Sequence, residues 1–216
     1  MIDVTHQINA VRRRVGSRTL EAGEARVVTI GQNYDTDADD LWDACTNIER
    51  IPRWFLPITG DLEVGGRYQL DGNAHGTILT CDPPREFTAT WEFGDGVSWI
   101  ELRITGEGPH RSRFELAHIS HVDDHWEQFG PGAVGIGWDM ILLGLGLHVE
   151  TGVSMTPEAA AQWTTSPEGV AFMTATSEHW QQVSVAAGTD PEEAAAAASR
   201  CLAAYKGEVV DPGADG

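Results

Sequence analysis

The sequence is short of positive charge. Its 216 residues hold 14 lysines and arginines against 33 aspartates and glutamates, a formal net charge of -19. Such a surface repels phosphate backbones and anionic bilayers, so neither nucleic acid nor a membrane is an expected partner. It favours solubility and leaves the fold open. The one basic run, Arg12-Arg13-Arg14, reads as a solvated strand edge or an acid-pairing patch rather than a nucleic-acid arm. Cysteine is scarce too: Cys45, Cys81 and Cys201 are three and scattered, which fits neither a disulfide framework nor a zinc ribbon. They read as small buried apolar residues. Residues 1–10 carry no apolar core behind basic residues, so no signal peptide is expected. The longest apolar stretch, 133–149, is broken by Asp139 and His148 and holds Gly135, Gly137, Gly144 and Gly146. It is too short and too polar to span a bilayer. A cytoplasmic protein with reduced thiols is the expectation. The chain lacks a Gly-x-Ser-x-Gly elbow and a phosphate loop, and Gly135-Ile136-Gly137 follows no strand, so nucleophilic hydrolase and dinucleotide readings find little support. No cofactor is expected.

What the sequence does have is strand periodicity followed by helical periodicity. Residues 11–34 are rich in β-formers around a turn at Ala22-Gly23, as a strand pair or one bent strand. Asp35-Thr36-Asp37 starts a short helix that buries Leu41, Trp42 and Cys45. Thr46-Asn47-Ile48-Glu49 has capping-box spacing and predicts a second short helix. From Val64 to Ser120, glycine, asparagine and proline turns divide five strands: 67–71, 76–81, 86–93, 97–105 and 113–120. Short strands joined this way make an antiparallel meander. One face gathers Phe87, Ala89, Trp91 and Phe93. The next strand gathers Ser98, Ile100, Leu102 and Ile104, with Trp99, Glu101 and Arg103 opposite, and the last gathers Phe114, Leu116 and His118.

Residues 131–150 then predict a helix apolar almost all round, which must be buried on more than one side. Its glycines cost about 1 kcal/mol each against alanine, a cost that makes sense where a backbone packs closely or a ligand needs room. Three cap-proline-acid signatures, Thr156-Pro157-Glu158, Ser166-Pro167-Glu168 and Asp190-Pro191-Glu192, start helices at 157–163, 167–187 and 191–205. These would cover the exposed side of the glycine-rich helix, or dock on a second copy to make a homodimer. The expected organisation is a domain over 1–150, a helical extension over 151–207 packed on it, and a disordered tail over 208–216.

Several segments resemble a known family. YDTDADDLWDACTNIERIPRWF (34–55), LEVGGRYQL (62–70), PPREFTATWEF (83–93) and HWEQFGPGAVGIGWDMILLGL (125–145) resemble the activator of heat-shock-protein-90 ATPase-like family, within the START/Bet v 1-like (SRPBCC) superfamily. The resemblance covers about 24–150. It implies an α+β helix-grip fold of order β-α-α-β-β-β-β-β-α, in which a curved antiparallel sheet wraps a long helix around a hydrophobic pocket. It does not fix function, since the superfamily spans carriers, cyclases and co-chaperones.

Tryptophans at 54, 91, 99, 126 and 138 come from loops, strands and the long helix, as a cavity wall between sheet and helix would require. An ordinary filled core would use the same residues. The candidate ligand-binding residues are Trp54, Phe55, Trp91, Phe93, His118, Trp126, Phe129 and Trp138, toward a small hydrophobic or aromatic molecule. Histidines 118, 121 and 125 with Asp123 and Asp124 are the only metal-like cluster, and they run from a strand into a loop where shared geometry is not given, so no metal is assigned. His118 and Asp139 are the candidate proton-transfer groups of an alternative cyclase- or hydrolase-type enzyme. Asp139 in an apolar helix demands a partner and reads first as structural. A co-chaperone-like interaction protein is the third alternative.

Overall fold

The computed structural model describes residues 4–208. Of the expected disordered tail, all but Glu208 lies outside the described residues. The elements are α1 (Val4–Ala10), β1 (Arg12–Leu20), β2 (Gly23–Tyr34), α2 (Ala38–Thr46), a 3-10 turn (Ile51–Arg53), β3 (Ile58–Gly60), β4 (Arg67–Leu70), β5 (His75–Asp82), β6 (Glu86–Phe93), β7 (Gly96–Gly108), β8 (Arg111–His121), α3 (Asp124–Phe129), α4 (Gly132–Thr151), α5 (Pro157–Thr164), α6 (Pro167–Ala186) and α7 (Pro191–Tyr205).

The eight strands form one antiparallel sheet in the order β1-β2-β8-β7-β6-β5-β4-β3. Period-2 burial sorts its residues as the alternation predicts. Ile100, Leu102, Ile104, Phe114, Leu116 and Val28 are buried against α2 and α4, while Arg103 and Glu86 pair across the solvent face. This is a helix-grip fold: the curved sheet clasps α4, and α6 and α7 pack on the helix from the other side. Met173, Trp180 and Cys201 from those outer helices join the same core cluster as the sheet residues. By length and composition α4 would also suit a membrane span, yet here it is a core helix with most of its residues buried.

Two local expectations change. Thr46 does not open a second helix. It is the last residue of α2, its hydroxyl donates to the Trp42 carbonyl at 2.8 Å, and Asn47 closes the helix with its backbone N–H on the Asp43 carbonyl. Only the 3-10 turn Ile51–Arg53 follows, because Pro52 supplies no N–H and Asn47 accepts from the Glu49 N–H as a turn residue. The second correction is an addition: α1, β3 and α3, too short for periodicity to register, were not expected, and α3 places His125 and Trp126 on a helix where a loop was expected. The later start signals act as predicted, with Thr156, Ser166 and Asp190 each accepting a first-turn backbone N–H ahead of a proline.

The glycines of α4 admit close neighbours. A Cβ on Gly135 would lie 2.3 Å from the Trp180 ring, and one on Gly144 would lie 2.5 Å from the Trp54 carbonyl oxygen. Close approach by α6 on one flank and by the 54–55 loop on the other thus needs a bare backbone at these turns.

Candidate ligand-binding site

The site is built around Trp138, which α4 points toward the sheet. On β8, His118 faces it; β7 contributes Ser98 and β6 contributes Trp91, opposite each other in register. A directed hydrogen-bond chain links them. The indole N–H of Trp138 can only donate, and it reaches His118 Nδ1 at 3.1 Å. The imidazole proton must then sit on Nε2, which donates to Ser98 Oγ at 2.9 Å, and that hydroxyl donates to the Trp91 carbonyl at 2.9 Å. His118 is 3% exposed, and burial holds its pKa down to about 4, so the ring is neutral at pH 7. The Trp91 and Trp138 rings meet with centroids 5.2 Å apart.

Two spaces lie on either side of this contact. The inner chamber, about 280 Å³, runs between sheet and α4 and is walled by Trp42, Tyr68, Phe87, Phe114 and Leu116 among others. The outer vestibule, about 630 Å³, lies toward the β6–β7 hairpin, the end of β8 and α3. Phe55, Trp91, Trp138 and Ile141 line both and stand between them. Phe55 is set by its neighbour: Trp54 stacks on it at 5.9 Å and donates its indole N–H to the Ala44 carbonyl at 3.0 Å.

The sequence-predicted residues divide accordingly. Trp54, Phe55, Trp91 and Trp138 line the inner chamber. His118, Trp126 and Phe93 line the vestibule, Phe93 as a rim residue 61% exposed. Phe129 lines neither; it packs against the core and lines a separate cleft of about 700 Å³ between α3, α6 and α7. Trp99 meets His121 edge-to-face with ring centroids 5.5 Å apart and lines neither space, its strand face being the outer one. His125 lies against Phe129, so the three histidines of the cluster have different ring neighbours, although all three line the vestibule together with Asp123.

Asp139 is also outside both spaces. Arg13 grips it with two bonds, Nη2 to Oδ1 at 2.5 Å and Nε to Oδ2 at 3.0 Å, and Trp180 Nε1 donates at 2.8 Å. Burial pushes this carboxyl's pKa up, and Arg13 and Trp180 oppose the push. The buried acid's partner is therefore the middle residue of the one basic run in the sequence. Chamber residues such as Trp42, Phe87 and Leu116 were legible as buried faces without being read as site. Ile58, which opens the unforeseen β3, and Leu62, just after it, were not read as site.

The family model described as activator of Hsp90 ATPase homolog 1-like protein matches residues 35–146. CalU16 from Micromonospora echinospora is 36% identical. Its crystal structure gives a TM-score of 0.66 over 81% of this chain and 98% of that one, and its solution structure gives 0.71 over 83% and 97%. An Hsp90 activator from Plasmodium falciparum, 19% identical, shares the fold with a TM-score of 0.50 over 59% of this chain and 96% of its own. No curated protein matches the chain. The matched model and the CalU16 likeness together place this chain in the activator of Hsp90 ATPase homolog 1-like family, on the helix-grip fold of the START/Bet v 1-like proteins.

Proposed function

We propose that this protein binds a small, mostly apolar molecule between its sheet and α4. The observation that carries this is the inner chamber: about 280 Å³ of partly open space between sheet and α4, walled by aromatic and aliphatic side chains and bordered by a larger vestibule. Interiors close to crystal-like density, so space of this size beside a long core helix is consistent with a missing occupant. Phe55, Trp91, Trp138 and Ile141 would act as the gate, with Trp138 held by His118.

The geometry lends the enzyme reading no support. Both His118 nitrogens are engaged, and Asp139 is spent on Arg13 and Trp180. Native mass spectrometry of freshly purified protein tests the binding reading, together with intrinsic tryptophan fluorescence during titration with polycyclic aromatic compounds. A retained mass or saturable quenching is expected. Bare protein mass together with unchanged fluorescence across the series would overturn it.

A further inference from the structure

The charges around the two spaces narrow the kind of molecule. We infer, building on the binding reading above, that the ligand is a cationic amphiphile, with a flat apolar body in the inner chamber and a protonated amine in the vestibule.

Every described residue that lines the inner chamber is uncharged. An ion placed there would lose its hydration without a partner, so a charged substituent belongs in the vestibule. Among the described residues lining the vestibule, the single carboxylate is Asp123, and no lysine or arginine is present. Asp123 caps α3, its Oδ1 accepting the Trp126 N–H at 2.8 Å. Phe55, Trp91, Phe93 and Trp126 line the same space, and the faces of such rings attract a desolvated cation through their quadrupoles. The neutral His118 offers no compensating positive charge at the inner end. One arginine stands opposite a vestibule residue across a strand pair, Arg26 facing Ser120, and it lines the separate cleft beneath α7. The chain's net charge of -19 adds a field that gathers cations and repels anions. Besides His118 the vestibule's other ionisable groups are the imidazoles of His121 and His125, so a fatty acid or aromatic carboxylate would meet a carboxylate and no permanent counter-charge.

The test uses three probes that share one ring system: 1-pyrenemethylamine, 1-pyrenemethanol and 1-pyreneacetic acid, titrated by fluorescence at about pH 8 in low salt. The expected order is amine, alcohol, acid, with the amine about tenfold tighter than the acid and the ratio shrinking as salt rises. Asp123→Asn keeps the helix cap and removes the charge, so it should weaken the amine about threefold or more while leaving the alcohol unchanged. If the acid binds as tightly as the amine, the charge assignment is overturned while the alcohol still reports a working cavity. An amine preference that Asp123→Asn leaves intact would overturn the vestibule placement. If none of the three binds, the cavity reading itself fails and this inference with it.

Discussion

The two flanks of α4 are packed on opposite principles. On the flank facing α6 and β1, the Trp180 ring presses on the bare backbone of Gly135 and a buried carboxylate is held by three hydrogen bonds. On the flank facing the sheet, Trp138 and Ile141 border open space. One helix thus anchors the fold with one side and leaves room with the other. The difference teaches that the outer helices do more than cover an apolar surface: α6 brings Trp180 against the bare backbone of α4 and onto its buried carboxylate. The largest expected effect attacks the anchored flank. Asp139→Asn leaves the Arg13 guanidinium buried without its counter-charge and should cost about 3–5 kcal/mol in urea unfolding. Replacing Arg13 as well, in Asp139→Asn with Arg13→Met, should recover part of that loss through non-additivity. A loss under about 1 kcal/mol would mean that the anchored flank is not what holds α4.

The next effect belongs to the hollow flank and is read through pH. The folded pKa of His118 is depressed to about 4, below the usual value of about 6.5 in an unfolded chain. Between those values the unfolded chain binds a proton that the folded chain refuses. The neutral ring's contribution is therefore complete above about pH 6.5 and is lost as pH falls toward 4, a total on the order of 3 kcal/mol. Urea midpoints at descending pH should fall more steeply for the wild type than for His118→Gln, although His148, whose pKa burial also lowers, titrates in both. Parallel slopes would show that His118 is not shielded as its burial implies. Smaller again is Gly135→Ala. Its new Cβ must push the Trp180 ring aside, and overpacking of this kind costs about 1–3 kcal/mol by thermal or urea unfolding.

What the sequence disclosed follows the same division. Sheet faces, cap signatures and the all-round apolar helix are local patterns, and they located β6, α4, α6 and α7 to within a residue or two. The need of Asp139 for a partner was legible, but its identity was not, because Arg13 lies 126 residues away and only the fold brings them together. Short elements failed for lack of periods: β3 spans three residues, and Thr46 had the spacing of a cap while the α2 hydrogen bonds claimed it first. Volume is the least legible property of all. The face Phe87-Ala89-Trp91 could be read as inward-pointing, yet whether facing side chains fill the gap between two elements depends on their separation, which no alternation encodes.

That question gives the prediction with the smallest stability effect. Ala89 is fully buried on β6 and lines the inner chamber, paired with Ile78 and Ile100 on its neighbours. In a close-packed core, Ala89→Leu would be overpacked and would cost about 1–3 kcal/mol. Beside vacant space the added carbons find room and new contacts, so the change in unfolding free energy should stay under about 1 kcal/mol in either direction. The same substitution should weaken binding of a pyrene-sized probe by about tenfold or more, because the leucine takes the probe's volume. The opposite pairing, a large loss of stability with binding untouched, would show that the sheet-facing flank is as tightly filled as the one that faces α6.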